Sequence, residues 1–246
     1  MKKFLTLMVA IVVVCALSIT AMAAPVSIGY KTYFMGDLFA NVSESASTSS
    51  EAGFWTAGDV YNITVADGKV TFTTSGAWGS FGSFADASIT KGKVGWAYYI
   101  KNNGDATAIL ASGFNADDGK GYKLTNECSY TLVDMQGNKT ENLVGVWCDS
   151  WGQGGIEIPA GFEGWVYIGF DQYVPNDGTG SEVPFDSENY GVAAASFAFY
   201  NISSITHGGE FYAYSSEVTD TADISVIAYA VAAITGLGAL VVAKKR

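Results

Sequence analysis

The segment 147–153 combines flat aromatic rings with polar groups at a spacing that suits sugar binding. If the chain is extended there, Trp147, Asp149 and Trp151 project from one face, and Gln153 follows after a glycine. An indole ring covers the C–H face of a sugar, while a carboxylate and an amide bond its hydroxyl groups. We therefore predict that these four residues bind a neutral glycan.

A second segment, 165–171, has the same composition. Trp165 and Tyr167 alternate along an extended chain, and Asp171 follows them. These three residues are the second candidate carbohydrate site. The alternative for both segments is that the rings fill the core or cap the edges of a β fold. Trp55 and Trp78 lie in glycine-rich segments and give no further indication of a site.

Oxygen ligands for a cation occur together in the segment 115–119. Asn115, Asp117 and Asp118 precede a glycine there, as in tight turns that bind calcium. The spacing is not that of an EF-hand, since glycine does not fall at the sixth loop position. We expect at most a structural calcium ion. Cys128 and Cys148 either pair in an oxidising compartment or remain thiols, and the sequence leaves both alternatives open.

Catalytic signals are weak. His207 is the one histidine of the chain, no nucleophile-elbow motif is present, and the cysteines and the histidine lack zinc-site spacing. Glu127, Glu157 and Glu163 lie near strand-like segments, but nothing marks two of them as the carboxyl pair of a glycosidase. We therefore expect a protein that is not an enzyme, with a small glycoside hydrolase as the least favoured alternative.

The charge distribution excludes nucleic acid as a partner. Between the apolar ends, residues 24–223 hold all 24 acidic residues of the chain and only eight lysines, with no arginine. Such a surface repels phosphate backbones, whereas it tolerates neutral sugars and attracts cations.

Both ends of the chain have the pattern of export and anchoring segments. Residues 1–23 have a basic start, an apolar run and Ala21-Met22-Ala23, which predicts a signal peptide cut after Ala23, against the alternative of an uncleaved membrane helix. Residues 224–243 are uncharged, enough for a helix of about 30 Å that spans a bilayer once, against the alternative of a buried helix. The basic end 244–246 should stay cytoplasmic, after a short stalk at 216–223. The ectodomain, 24–215, then lies outside the cell membrane.

The ectodomain has the pattern of short antiparallel strands. β-branched and aromatic residues alternate between Gly, Asn-Gly and Asp-Gly turn signals, which predicts an all-β sandwich or jelly roll of eight or so strands. The strand candidates are 70–74, 94–101, 106–111, 129–135, 143–148, 165–170, 192–201 and 211–214. Segments 41–51 and 174–190 are predicted loops.

Two family resemblances support this interpretation. The segments 158–168, 192–200 and 96–105 resemble strands of galactose-binding-like, carbohydrate-binding-module-like jelly rolls on Gram-positive cell-surface proteins. That resemblance implies a β-sandwich, permits carbohydrate binding and is compatible with a structural calcium ion. Val218–Ala222 resembles a cell-wall sorting signal, although Thr219 replaces its proline and Ala222 its glycine, so the helix should remain as a membrane anchor.

Together these observations predict a membrane-anchored, non-catalytic ectodomain that binds carbohydrate or mediates adhesion. The alternative is a structural or protein-binding surface component without a sugar site.

Overall fold

The computed structural model describes residues 24–26, 28–56, 60–149 and 153–216, and its long elements are all β-strands. The all-β prediction is therefore confirmed. The strands are β1 (Lys31–Asp37), β2 (Trp55–Thr56), β3 (Ile63–Ala66), β4 (Lys69–Phe72), β5 (Gly76–Ser83), β6 (Gly95–Asn102), β7 (Ala108–Ala116), β8 (Gly121–Leu124), β9 (Ser129–Asp134), β10 (Lys139–Val144), β11 (Val146–Asp149), β12 (Gln153–Ile158), β13 (Glu163–Gly169), β14 (Tyr173–Pro175), β15 (Val192–Tyr200) and β16 (Ile205–Ser215).

These strands form two antiparallel sheets. Sheet A has the order β10-β9-β13-β6-β16-β4-β3, and β1 pairs with the second half of β16. Sheet B has the order β11-β12-β7-β15-β5-β2, while β8 pairs with β7 and β14 pairs with β8. The predicted β-sandwich is thus confirmed, and its finer description as a jelly roll stays a prediction.

The core between the sheets comes from period-two alternation on the central strands. Trp96 and Tyr98 of β6, Val166 and Ile168 of β13, and Phe197 of β15 are all buried, as their alternation predicts. Each buried side chain of this size contributes about 1.5–3 kcal/mol to folding. The indole N–H of Trp96 donates to the Tyr173 hydroxyl at 2.9 Å, so the largest core ring is also hydrogen-bonded.

Sheet A also buries aromatic residues on its outer face, beneath the N-terminal segment. Val26, Ile28 and Tyr30 pack on a cluster that contains Trp165 and Tyr167. The Tyr167 hydroxyl donates to the Val26 carbonyl oxygen at 2.9 Å, and the Lys139 ammonium donates to the Ile28 carbonyl oxygen at 2.9 Å. The segment before β1 that contains Val26, Ile28 and Tyr30 therefore covers this face, and we call it the N-terminal strap.

Several predicted boundaries were wrong. The part of the chain that the structure describes contains sixteen strands, about twice the number expected. The candidate 143–148 divides between β10 and β11, and Val94, expected in the core, is 41 % exposed just before β6. The predicted loop 41–51 forms no strand, but it packs on the sandwich, because Ala46 and Ser49 are buried.

Residues 1–23 and 217–246 lie outside the described residues. The leader peptide, the membrane helix and the basic end accordingly stay predictions, together with most of the stalk. Among the residues that the structure describes, none belongs to a helix long and apolar enough to cross a bilayer.

Candidate functional site

A groove on the outer face of sheet B is the candidate site. It encloses about 490 Å³ and crosses five strands, β2, β5, β15, β7 and β8. One register row runs along it, because Trp55 pairs with Ser80, Ser80 with Ser196, Ser196 with Gly113, and Gly113 with Lys123. Adjacent strands are about 4.8 Å apart, so the two ends of this row are separated by about 19 Å.

The floor of the groove is low because its side chains are small. Ser80, Ser196 and Gly113 occupy the three central positions of the row. Residues on the inner face of the same strands, such as Phe81 and Phe114, are large and pack in the core. The strands therefore combine a bulky inner face with a shallow outer one, which leaves room for a ligand that lies across them.

An aromatic wall closes one end of the groove. Trp55 lies on the edge strand β2, and 64 % of its surface is exposed. A tryptophan that packs in the core would be largely buried. A large exposed ring beside a groove of small residues can cover the apolar face of a ligand.

Unused hydrogen-bonding groups surround the floor. Asn115 and Asn176 line the groove with Ser80 and Ser196, and within the described residues none of these four side chains makes a hydrogen bond to protein. Two amides and two hydroxyls supply both donors and acceptors, which is what recognition of a polyhydroxylated ligand needs.

Comparison with known proteins identifies no family for this chain. No family model and no curated protein matches this chain. The solution structure of CtCBM11, a carbohydrate-binding module, is 11% identical and covers 78% of this chain and 97% of its own, with a TM-score of 0.41. The enzymatically active domain of tailspike protein 4 from bacteriophage CBA120 is 16% identical and covers 76% of this chain but 19% of its own, with a TM-score of 0.25. With TM-scores below 0.5, neither similarity indicates what this chain binds.

The second predicted glycan segment is not at the surface. Trp165 is 1 % exposed and Tyr167 is 3 % exposed, because both rings lie in the aromatic cluster beneath the N-terminal strap. Their alternation was interpreted correctly, but the outer face of sheet A is covered rather than solvated. Asp171, by contrast, is exposed in a short 3-10 turn after β13.

The first predicted glycan segment is only partly described. Trp147 is 60 % exposed on β11, at the edge of sheet B opposite to Trp55. Gln153 begins β12 and is buried, so its amide does not lie beside Trp147 at the surface. Trp151 and the side chain of Asp149 lie outside the described residues. Of this set, the structure therefore compares only Trp147 and Gln153, one at the surface and one buried.

Two of the three calcium candidates, Asp117 and Asp118, make bonds within the protein. The Asp117 carboxylate accepts from the Gly191 N–H at 2.8 Å and lies 3.0 Å from the Lys91 ammonium, which lowers its pKa. Asp118 accepts from the Lys120 N–H and the Tyr122 hydroxyl, both within 2.9 Å. The described residues contain no cluster of three or more acidic, cysteine or histidine side chains suited to a metal. Calcium binding at Asn115, Asp117 and Asp118 stays a prediction.

Cys128 and Cys148 are both free thiols in this structure. Cys128 belongs to the core cluster between the sheets. The Cys148 sulfur lies beside Gly155 and Ile109 on the outer face of sheet B, where its thiol donates to the Gln153 carbonyl oxygen at 3.2 Å. Sulfurs on opposite faces of one sheet cannot meet without moving the backbone.

His207 has no place in the groove. It is 1 % exposed in the core, its ring stacks on Tyr98 at 5.0 Å, and its Nδ1–H donates to the Gly208 carbonyl oxygen at 2.6 Å. Burial lowers its pKa to about 4, so the ring is neutral at physiological pH. This environment is that of a structural histidine.

The groove is not predictable from the sequence, because small residues carry little signal. The runs Ala193-Ala194-Ala195-Ser196 and Gly79-Ser80-Phe81-Gly82 place small residues at alternate positions, but only strand pairing brings them into one row. A strand of two residues, such as β2, is too short for alternation to identify, so the sequence shows only a glycine-rich segment around Trp55.

Proposed function

We propose that the protein binds carbohydrate without catalysis, and that the groove between Trp55 and Lys123 is the binding site. The observation that supports this most strongly is the combination of one highly exposed indole with four polar side chains that have no hydrogen bond to protein within the described residues. A sugar ring stacked on Trp55 would bond Ser80 and Ser196 along the floor.

The proposal includes the place where binding occurs. A signal peptide at 1–23 and a single membrane helix at 224–243 would hold the sandwich outside the cell, where polysaccharides are accessible. The protein would then tether the cell to a glycan or recruit one to its surface. Fractionation tests this part, since a full-length chain found in the soluble cytosolic fraction would contradict it.

The glycan-binding proposal is tested with the full chain in mild detergent. It is passed over a glycan array and incubated with a panel of insoluble polysaccharides, and we expect retention by at least one glycan without release of reducing sugar. If the chain binds no glycan, the groove is rejected as a sugar site, and a structural or protein-binding role is favoured. Release of reducing sugar would instead identify a glycoside hydrolase.

A further inference from the structure

The groove has a charge opposite to that of the protein around it. Lys123 is the sole charged side chain among the described residues that line it, and no carboxylate lines it. Yet the segment 24–223 holds 24 acidic residues and only eight lysines. The described lining of the groove therefore differs in charge from a segment that has three acidic residues for each basic one.

The cation has a defined position relative to the aromatic wall. Lys123 and Trp55 are the two ends of the register row, about 19 Å apart along the strand-pairing direction. Asn115 lies on the same face of β7 two residues beyond Gly113, the partner of Lys123. Asn176 donates its backbone N–H to the Gly121 carbonyl oxygen, next to this position. An ammonium and two amide groups therefore collect at the end of the groove opposite to the indole.

Resting on the proposed glycan groove, we propose that its ligand is an acidic glycan, with a carboxylated sugar at the Lys123 end. The sugar carboxylate accepts charge-assisted hydrogen bonds from the Lys123 ammonium and the neighbouring amides, while a sugar further along the chain covers Trp55. This proposal differs from the neutral glycan that the sequence predicts, because it weighs the groups in the groove above the net charge of the chain.

The acidic surroundings do not oppose this ligand strongly. At physiological ionic strength charges are screened over about 8 Å, so the local groups outweigh the net charge. Asp118 and Asp177 line a neighbouring depression rather than the groove, and their oxygens accept bonds from Tyr122 and Thr179. Glu182 lines a second depression that Lys123 also lines, and it is not among the described residues that line the groove.

Carboxyl reduction provides the test, because it removes the charge and keeps the sugar backbone. The dissociation constants of the full chain in mild detergent are measured for polygalacturonate, alginate and hyaluronan, each beside its carboxyl-reduced neutral form. We expect at least one acidic polymer to bind about tenfold more tightly than its neutral form, with the preference decreasing between 20 and 300 mM salt.

Substitutions of single lysines test whether Lys123 causes the preference for the acidic polymer over its neutral form. Lys123→Gln should abolish it, Lys123→Arg should retain it, and Lys120→Gln, an exposed lysine outside the groove, should leave it unchanged. Equal binding of acidic and neutral forms, or a preference that survives Lys123→Gln, would overturn the acidic-glycan inference and leave the glycan groove standing. If neither these polymers nor the neutral glycan panel bind, the acidic-glycan inference and the glycan groove are both overturned.

Discussion

Trp55 pairs with Ser80 across β2 and β5, and both residues line the groove at this end of the register row. The pairing matters because β2 is an edge strand of two residues, so no further strand of the described residues covers the ring. The core gains little from a tryptophan that is 64 % exposed. Its position therefore favours a role in binding over a role in stability.

Replacement of Trp55 should separate these two roles. We expect Trp55→Ala to weaken glycan binding about tenfold, since the stacking surface is lost, and to shift the melting temperature by no more than about 2 °C. Trp147→Ala is the matched control, because that ring is 60 % exposed at the opposite edge of the same sheet. Calorimetric titration measures both variants. Equal losses in the two would indicate a site that spans the sheet, and a loss in Trp147→Ala alone would place it on β11.

Filling the floor should block the groove without unfolding the sheet. Ser196 is the central residue of the row, flanked by Ser80 and Gly113. Ser196→Tyr places a large ring in the space that the ligand needs, so we expect binding to fall more than tenfold. Thr64→Tyr makes the same kind of change on an exposed position of β3 in sheet A and should leave binding intact. Full affinity in Ser196→Tyr would show that the ligand does not cross this row.

Sequence patterns predict which faces of the strands are buried, because the hydrophobic effect determines them. They do not predict the groove, because the pairing of strands determines it. Alternation at Trp96, Tyr98, Val166 and Phe197 identified the inner faces, because burial of large side chains follows the period of the strand. The alternation pattern of β13 does not predict that Trp165 is buried, because the residues that cover its cluster, such as Val26 and Tyr30, lie far away in the sequence. The groove depends on register among five strands, and register is a long-range property.

Thiol chemistry should distinguish Cys128 from Cys148. Burial raises the pKa of the Cys128 thiol to about 12, whereas the Cys148 sulfur lies at the outer face of sheet B. We expect iodoacetamide to modify Cys148 in the native protein and Cys128 only after unfolding, since the thiolate is the reactive form. Peptide mass analysis gives the sites. A disulfide-linked peptide containing both residues would contradict the structure.

The N-terminal strap should stabilise sheet A. The Tyr30 ring lies 4.9 Å from the Tyr214 ring and 6.4 Å from the Tyr167 ring. We expect Tyr30→Ala to lower the free energy of unfolding by about 1–2 kcal/mol, because the apolar surface beneath the ring becomes solvated. Urea unfolding measures the change, with Tyr190→Ala in an exposed loop as the control. A loss no larger than that of the control would mean that the strap contributes little.

Acid should destabilise the sandwich through His207. Its pKa is about 4 in the folded protein, because burial disfavours the charged ring, and rises to about 6.5 when the chain unfolds. Between these values the unfolded chain binds a proton that the folded protein does not, so stability falls as the pH decreases from about 6.5 to 4. The loss is about 3 kcal/mol over this window. The rings packed on His207, from Tyr98, Phe197 and Phe211, carry no charge there.

His207→Phe should remove this acid sensitivity, since phenylalanine fills a similar volume and binds no proton. Several exposed carboxylates, such as those of Asp86 and Asp134, also have lowered pKa values, but their stabilisation is lost only as the pH falls toward 4 and below. Stability measured by urea unfolding at pH 4.5, 5.5 and 7 should therefore change steeply in the wild type and weakly in the variant. Parallel slopes in the two proteins would assign the acid sensitivity to the carboxylates instead, and would mean that His207 accepts its proton while the fold is intact.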